Sequence, residues 1–537
     1  MVNPDNPPSA EQGGQKTDGA RIPSGREAVQ MVNGGSVPLT AVPEFSFSYF
    51  SHWLSAMVRD GSRVTAFFAL PVQGGELVLS DSLETAAEQT YRLFAVLTSD
   101  KTGQLYLVSA SVPESYPSLT KNIPQLHLFE RQLFEKYGLL PEGHPWLKPV
   151  RFEKLGGPEI GSMDFYRIAG DEVHEVAVGP IHAGVIECGH FRFQCLGEVV
   201  MHLEISLGYH HRGVEALLKD GTRPRTLALM EALAGDTTIG HTWAYCSNIE
   251  ALSNLPPSPR GQLIRALALE LERLANHTGD MGALAGDVGF LSTLSYCGRL
   301  RGDWLNMSAM LCGSRFGRGL LTPGGVNYDL DRALVLALKE KITHTARDVE
   351  GAIKLMWDSP SVMARMTSIG VVSTDTALRL GLVGVAARAS GLARDVRHFQ
   401  PLSGLPRPPE LRTAARGDVS SRAHVRHGEI TASVAFCQRL LSDFLEEDSE
   451  PEAPLHAVPV PGRLTPGQIA VSLVEGWRGE ICHVGVTDTQ GRLAAYSVTD
   501  PSFHNWMGLA MALRGQQISD FPLCNKSFNL SYCGHDL

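Results

Sequence analysis

Apolar positions along this chain follow two different spacings, and the change between them indicates how it is divided. Short apolar runs at residues 64–72 and 105–112 are typical of strands, whereas residues 82–98 and 122–138 carry apolar positions at helical spacing. Strands and helices that alternate over so short a stretch predict a small N-terminal α+β domain at residues 41–152.

The segments on either side of this domain lack such a pattern. Residues 1–40 are rich in Pro, Gly and Ser without periodicity, which predicts a disordered tail, and residues 153–170 read as a Gly-containing linker. Residues 171–537 then contain short strands, a long run of helices and a return to strands. We therefore predict an α+β protein in which the small N-terminal α+β domain precedes a mostly helical domain with a small antiparallel sheet.

The helices of the second domain are predicted from apolar residues three and four positions apart. They cover residues 199–219, 226–253, 261–283, 292–312, 331–357, 374–392 and 419–446. Alternating apolar residues predict strands at 474–488 and 492–500, separated by a turn at Gly491.

Composition and charge exclude several classes of function. The chain has 537 residues, of which 43% are hydrophobic, and a net charge of −10. It has no basic stripe for nucleic acid and no polybasic patch for anionic lipid, so we expect proteins or small molecules as partners. No apolar run approaches the roughly 20 residues that span a bilayer, and the N-terminus lacks an apolar signal core, which predicts a cytoplasmic protein.

The nine cysteines are dispersed along the chain. They occupy positions 188, 195, 246, 297, 312, 437, 482, 524 and 533. No two are three residues apart, and thiols spread in this way are typical of core residues in a reducing compartment. No glycine-rich phosphate loop opens a helix, so we predict no nucleotide site in this chain.

Several separate motifs resemble those of one superfamily. They are GYHHRGVEAL at 208–217, the apolar stretch 226–252, ELERLANH at 270–277, GVAARASGLARDVR at 384–397 and EGWRGE at 475–480. Together they are similar to the large subunits shared by NiFe hydrogenases and the quinone-site subunit of complex I. Residues 129–152 resemble the signature of the complex I C-type subunit, which implies a docking role for the first domain.

The fused C-type and D-type arrangement resembles the large subunit of formate-hydrogenlyase-type membrane-bound hydrogenases, and within them a cysteine-less, energy-converting branch. In NiFe hydrogenases, thiolates from two Cys-x-x-Cys pairs hold the metals. The matching positions here include Ala234, Thr237, Ser531 and Gly534, and Cys533 is one residue away from the pattern. The resemblance therefore implies no NiFe centre, and we predict no metal ligand and no cofactor bound by this chain.

The resemblance also implies a place for quinone. In the related complex I subunit, a loop that begins Gly-Pro-x-His and a tyrosine on the following helix hold the quinone head. Gly179, Pro180 and His182 match the loop. The tyrosine's own position is a glycine here, but Tyr209, Tyr245 or His241 offers the same hydrogen bonding. A role in the core is the alternative for these residues.

Three polar residues suggest a proton relay. Glu270, Arg273 and His277 lie three and four positions apart on one face of the helix predicted at 261–283, so they can touch one another. A histidine next to a carboxylate suits proton transfer because imidazole exchanges protons near neutral pH. An interface salt bridge is the alternative.

The predicted site residues are His182, His241, Glu270 and His277 for catalysis, and Gly179, Pro180, His182 and Tyr245 for cofactor binding.

The function implied by the resemblance is that of a catalytic-type subunit in an NADH:quinone oxidoreductase-like or hydrogenase-like complex. Such a complex couples electron transfer, to quinone or another acceptor, to ion translocation. Iron–sulfur clusters would belong to a small partner subunit, and antiporter-like subunits would lie in the membrane. This chain would then be peripheral, on the cytoplasmic side of the inner membrane. A non-redox coupling subunit is the alternative, and an active NiFe hydrogenase would need ligands that this sequence lacks.

Overall fold

A computed structural model describes residues 25–73, 76–79, 90–153, 158–182, 186–219, 224–446, 455 and 464–537. Helices and antiparallel sheets are both prominent, which confirms the predicted α+β class. Among the described helices, none is long and apolar enough to cross a bilayer.

The N-terminal part is built on a sheet covered by two helices. Its strands are β1 Val29–Met31, β2 Gly35–Pro38, β3 Glu44–Phe45, β4 Arg63–Gln73, β5 Glu76–Leu77, β6 Thr90–Ser99, β7 Gln104–Val112, β8 Ser115–Pro117 and β9 Leu140–Glu142, and its helices are α1 Phe47–Arg59 and α2 His127–Tyr137. The main sheet has the order β1-β7-β6-β4-β5, and β3 pairs with β7. Apolar residues of α1 and α2 share one core with this sheet.

The helix predicted at 82–98 is wrong, because Thr90–Ser99 is a central strand that pairs with β4 and β7. Leu93 packs on the helix side of the sheet and Phe94 on the opposite side, and both are fully buried. A strand covered on both faces reads as a continuous apolar run, so its period of two is hidden. Residues 82–89 of the predicted helix lie outside the described residues.

The predicted disordered tail is too long. Residues 1–24 lie outside the described part of the chain, but β1 pairs with β7, and β2 pairs with the distant strand Gln468–Glu475. The buried Asn33 side chain between them donates to the carbonyls of Gln400 and Leu473. Such strands owe their order to partners far away in the sequence, and their own Gly- and Ser-rich composition does not reveal it.

The remaining elements alternate between helices and short sheets. The strands are β10 Val173–Val178, β11 His190–Leu196, β12 Val199–Ser206, β13 Leu321–Thr322, β14 Gly325–Val326, β15 Gln468–Glu475, β16 Glu480–Thr487 and β17 Leu493–Thr499. The helices are α3 Val214–Leu217, α4 Pro224–Met230, α5 Thr238–Ser253, α6 Pro259–Asp287, α7 Leu291–Cys312, α8 Arg332–Trp357, α9 Pro360–Met366, α10 Thr374–Leu380, α11 Gly384–Ala389, α12 Val396–Phe399, α13 Val419–Glu446, α14 Pro501–Ala512, α15 Phe521–Phe528 and α16 Tyr532–Asp536.

The long helices α6, α7, α8 and α13 confirm their predictions and form the main helical core. Helix α6 begins at Pro259, and the side chain of its N-cap Ser258 accepts a hydrogen bond from the Gly261 amide. Its central position leaves most of its residues buried on every side. An antiparallel sheet of order β17-β16-β15-β2 packs against α5.

Three predicted helices are wrong in part. Residues 199–206 form strand β12, which pairs with β11 in the sheet β10-β11-β12. The stretch 226–253 breaks between α4 and α5, and 374–392 breaks between α10 and α11. In both breaks, backbone and polar groups of the chain pack against the turn between β15 and β16. Because these contacts are distant in sequence, the spacing of apolar residues within each segment does not predict the break. That turn also divides the strand predicted at 474–488.

Two acidic residues of the C-type signature are buried and form hydrogen bonds within their own chain. Glu130 is fully buried and accepts hydrogen bonds from the amides of Leu119 and Thr120. Glu135 accepts hydrogen bonds from the amides of Val150 and Arg151 in the same way. These carboxylates stabilise neighbouring loops of their own chain.

Candidate functional site

A partly buried ion pair links the break between α4 and α5 to the turn between β15 and β16. The Arg478 guanidinium donates to both carboxylate oxygens of Asp236, at 2.6 and 2.8 Å, and also to the Asn529 carbonyl at 2.6 Å. Burial acts to raise the pKa of Asp236, but the charge of Arg478 outweighs it and holds that pKa below its usual range. The turn is packed tightly, since a Cβ on Gly384 (φ +62°) would lie 2.0 Å from the Arg478 carbonyl oxygen.

The four positions matched to the hydrogenase thiolates carry no thiol. Ala234 and Thr237 precede α5, and the Thr237 hydroxyl accepts from Arg478 at 3.2 Å. The Ser531 hydroxyl accepts from the Gly534 amide at 2.9 Å. A Cβ at position 534 would lie 2.6 Å from a carboxylate oxygen of Asp500, so that carboxylate takes the space next to the chain there. These positions therefore do not form a thiolate set.

Cys533 does not supply the missing ligand. Its sulfur lies 3.4 Å from the Ser531 hydroxyl oxygen. Burial, reinforced by the nearby Glu187 carboxylate, raises the pKa of the Cys533 thiol to about 12. A NiFe centre takes thiolates from two Cys-x-x-Cys pairs, and one thiol outside that spacing does not replace them. Among the described residues no group of three or more His, Cys, Asp or Glu side chains could hold a metal ion. The residues present do not fit a NiFe centre.

A line of four buried groups begins at the same carboxylate, and we name it the histidine line. Asp500 lies 3.0 Å from His241 Nε2, His241 Nδ1 lies 3.1 Å from His483 Nε2, and His483 Nδ1 lies 2.9 Å from the Tyr496 hydroxyl. With Asp500 ionised, one set of tautomers satisfies every bond: Tyr496 donates to His483, His483 to His241, and His241 to Asp500. The line therefore connects a phenol to a carboxylate through two imidazoles.

The ionisation of this line follows from its burial. Burial lowers the pKa of His483 well below its usual range, and the neighbouring His241 lowers it further. Burial also raises the pKa of Tyr496. At Asp500 burial acts to raise the pKa, but the hydrogen bond from His241 and the charge of Arg478 lower it overall. A neutral tyrosine, a neutral His483 and a carboxylate are thus the stable forms.

His241 was predicted from the sequence, whereas its three partners were missed. One signal existed, because His483 is a polar residue inside the apolar run of β16, where a buried imidazole needs hydrogen-bond partners. Its partners could not be identified, since Tyr496 lies on β17 and Asp500 is the N-cap of α14.

The predicted relay residues on α6 belong to a second buried cluster, which we name the arginine cluster. Glu270 contacts Arg273 at 3.1 Å, as the helical spacing predicts. His277 instead contacts Glu429 of α13 at 2.8 Å. Arg273 lies between the two, 3.5 Å from Glu429. Glu270 and His277 are therefore connected through Arg273 and Glu429, and the direct contact that the spacing allowed is replaced by this longer route.

The arginine cluster is completed by side chains from three other segments. Arg388 of α11 contacts Glu429 at 2.8 Å and Glu475 of β15 at 2.6 Å. Arg397 contacts Glu270 at 2.9 Å and Asp395 at 2.6 Å. Burial acts to raise the pKa of Glu429, but Arg388 holds it well below its usual range. Burial raises the pKa of Glu475 to about 7 despite Arg388, so this carboxyl is the member of the cluster that titrates near neutral pH.

The predicted quinone-binding residues lie in two different places. His182 Nε2 lies 2.8 Å from the Gly189 carbonyl, and its ring packs against Phe191. Gly179, next to Pro180, is packed so closely that a Cβ there would lie 2.0 Å from that same carbonyl. Tyr245 is buried in the helical core, with its ring 6.0 Å from that of Tyr496. The structure thus places His182 in the β10–β11 region and Tyr245 beside the histidine line.

A further carboxyl group, Glu272, was missed from the sequence. It accepts a hydrogen bond from the Ile239 amide at 2.7 Å, at the start of α5. Burial raises its pKa to about 8, and the charge of Asp236 contributes in the same direction. Glu272 is therefore mostly protonated at neutral pH, close to Asp236 and the first turn of the helix that carries His241.

Because the pKa of Glu272 is raised by folding, the protein should lose stability as pH rises through that group's titration. The contribution is fully present below the unfolded-state pKa, at about pH 4.3, and is lost as pH approaches about 8, with a slope of up to about 1.4 kcal/mol per pH unit. Glu272→Gln keeps an oxygen acceptor for the Ile239 amide but cannot titrate. We expect its free energy of unfolding, measured with urea between these pH values, to decline less steeply than that of the wild type.

The control for this measurement is Glu340→Gln, whose side chain is 76% exposed on α8. Its pH dependence should follow that of the wild type. Equal slopes for Glu272→Gln and the wild type would show that Glu272 is ionised in the folded protein at low pH, contrary to its raised pKa.

Comparison with known proteins relates this chain to one group of proteins. The family described as the 49 kDa subunit of respiratory-chain NADH dehydrogenase matches residues 287–465. The chain is 32% identical over 360 residues to the carbon monoxide-induced hydrogenase of Rhodospirillum rubrum, covering 66% of this chain and 97% of that protein. It is 29% identical over 491 residues to formate hydrogenlyase subunit 5 of Escherichia coli (strain K12), covering 86% of this chain and 84% of that protein.

One solved structure shares the fold. A chain from the membrane-bound sulfane sulfur reductase, an archaeal respiratory membrane complex, matches with a TM-score of 0.63 and 22% sequence identity. The match covers 69% of this chain and 100% of that one. At this identity the likeness establishes a common fold, and chemistry has to be argued from the residues themselves.

Proposed function

Since this chain belongs to the family of large subunits of membrane-bound hydrogenases and complex I, we propose that it is the catalytic-type large subunit of a membrane-associated, complex I-like oxidoreductase. In this proposal the complex couples electron transfer, to quinone or another acceptor, to ion translocation, and it works without a NiFe centre. An iron–sulfur small subunit would deliver the electrons, and antiporter-like membrane subunits would carry the ion. The chain would be peripheral, on the cytoplasmic side of the inner membrane.

The observation that carries this proposal is the histidine line next to the positions matched to the hydrogenase ligands. Asp500 stands against Gly534, where a thiolate would be expected, and it is hydrogen-bonded to His241. Carboxylate, imidazole and phenol groups bind and release protons, whereas soft thiolates hold nickel and low-spin iron. The site has therefore the chemistry of a proton path in place of a metal-binding one.

The residues of this chain suggest how the path would act. A quinone that takes up electrons also takes up protons. A proton that His241 passes on through the Asp500 carboxylate can be replaced along the hydrogen bonds from His483 and Tyr496. Each histidine has one ring nitrogen towards each neighbour, so it can receive a proton on one side and release one on the other. Burial excludes bulk water, which would otherwise exchange protons with these groups directly.

One observation favours a second candidate, a non-redox coupling subunit. His182, matched to the quinone loop, packs against Phe191 of one hydrophobic core, whereas the candidate phenol of Tyr245 belongs to another. A subunit that only transmitted motion or protons would have no need to keep these groups together. The histidine line and the arginine cluster would then serve proton movement or stability alone.

Coupled ion movement separates the two candidates. The complex, purified through a tag on this chain and placed in lipid vesicles, is supplied with reduced methyl viologen as electron donor and a water-soluble quinone as acceptor. We expect quinone reduction together with a change in internal pH or sodium, both followed with dyes and both absent when quinone is omitted. Ion movement without any quinone reduction would contradict the proposal and support the coupling subunit.

A further inference from the structure

A cavity of about 280 Å³ lies apart from the histidine line and the arginine cluster. One wall comes from α2 and from residues 145–152, and the other from β12, α14 and His535. None of the site residues predicted from the sequence lines it. Its volume is close to the lower end of the roughly 300–1,000 Å³ found for small-molecule sites, so a compact ligand would fill it.

The walls are largely aromatic and aliphatic. They include Trp146, Phe152, Phe165, Leu203, Trp506 and Met507. Trp146 packs near the ring of His202, at 6.0 Å between centroids, and Tyr166 near the same ring at 4.8 Å. Burying the flat body of an aromatic ligand against such walls is favourable, because aromatic pairs gain from offset or edge contacts beyond the area they bury.

Positive charge is in excess around this cavity. Lys148, Arg131 and Arg514 line it, against the single carboxylate of Glu204. Glu204 is already paired with Lys148 at 2.6 Å. Arg131 donates to the carbonyls of Lys148 and Pro149, and among the described residues neither Arg131 nor Arg514 forms an ion pair with a carboxylate. Two guanidinium groups are therefore left to attract an anion.

Trp506 adds an unused hydrogen-bond donor. The residue is 3% exposed, and its indole N–H has no acceptor among the described residues. A buried donor without a partner is costly, and an oxygen of a bound molecule would satisfy it. The Nε2 atom of His202, also in the wall, is likewise without a partner in the described structure. Burial lowers the pKa of His202, so its ring is neutral at neutral pH.

We propose that this cavity binds a small aromatic anion, with its ring between Trp146 and Trp506 and its carboxylate towards Arg131 and Arg514. The walls come from segments that are far apart in the sequence, so the ligand would hold residues 145–152 against α14. The site is separate from the histidine line and does not depend on the proposed redox function.

The test uses the purified full chain and naphthoate as the probe. The uncharged alcohol with the same ring system serves as the comparison ligand. Titration calorimetry should show saturable binding of naphthoate, at least about tenfold tighter than the alcohol, because the ion-assisted hydrogen bonds are lost with the charge. Higher salt should weaken the binding of naphthoate and leave that of the alcohol unchanged.

Two variants locate the site. Arg514→Gln changes an exposed residue and should weaken naphthoate binding by up to about fivefold, as expected for one solvent-screened charge. Trp506→Phe removes the N–H while keeping an aromatic ring, and should weaken it by about tenfold. The matched control is Arg347→Gln, an exposed arginine on α8 that should bind naphthoate as the wild type does. Thermal unfolding confirms that each variant is folded.

Three results would overturn the inference: no saturable binding of naphthoate to the folded wild type, equal affinity for naphthoate and the alcohol, or the same affinity in Arg514→Gln, Trp506→Phe and Arg347→Gln. None of these would affect the measurements of electron transfer, so failure here is distinct from failure of the proposed function.

Discussion

Replacement of Arg388 by methionine is expected to lower the free energy of unfolding by about 3–5 kcal/mol, the usual effect of removing one partner from a buried ion pair. Arg388 is fully buried and contacts Glu429 at 2.8 Å and Glu475 at 2.6 Å. Methionine fills similar space but leaves these carboxylates with less positive charge in a region that water does not reach. Urea unfolding of the isolated chain, followed by circular dichroism, measures the change.

The control is Arg379→Met, which removes an exposed arginine paired with Asp375 and should change the free energy of unfolding by less than about 0.5 kcal/mol. If Arg388→Met does not fold, Arg388→Lys provides a milder case, because lysine keeps the charge but cannot donate to both carboxylates as the guanidinium fork does. A value for Arg388→Met equal to that for Arg379→Met would show that the arginine cluster contributes little to the fold.

His241→Gln is expected to reduce the rate of quinone reduction by about 10²–10⁴-fold, the range that general acid–base groups contribute. Glutamine can still donate a hydrogen bond to Asp500 but cannot pass a proton from one side to the other, so the histidine line would be interrupted at its centre. The rate is measured on the purified complex with reduced methyl viologen as donor, and thermal unfolding checks that the variant remains folded.

Two further substitutions test whether the loss of rate is specific to the histidine line. His427→Gln changes a histidine that pairs with Glu350 at the surface, and it should leave the rate unchanged. His182→Gln changes the histidine matched to the quinone loop. A normal rate in His241→Gln together with a large loss in His182→Gln would contradict a proton path through the histidine line and move the chemistry to the region between β10 and β11.

Helical periodicity predicted the elements that depend mainly on their own sequence. The helices α6, α8 and α13 are long, and the contact between Glu270 and Arg273 follows from spacing within one of them. Strand β6 was mistaken for a helix because it is buried on both faces, and β2 was mistaken for part of a tail because its partner, β15, lies more than 400 residues away.

The partners of the candidate site residues were even harder to predict from the sequence. His241 and His277 were recognised, but their partners depend on tertiary structure: Glu429 comes from α13, and His483, Tyr496 and Asp500 come from two strands and a helix cap. Which polar residues meet in a core is decided by strand pairing and helix packing, and a single sequence carries little information about either. The resemblance identified the positions matched to the thiolates, but it did not predict that the Asp500 carboxylate would lie against one of them, Gly534.

The central claim, a redox subunit without a NiFe centre, is tested most directly by the nickel, iron and acid-labile sulfide content of the complex purified through a tag on this chain, with quinone reduction assayed on the same sample. The account predicts iron and sulfide from the partner subunit, quinone reduction, and no nickel. Stoichiometric nickel together with hydrogen evolution would contradict it, because ligands other than the positions described here would then have to hold the metals.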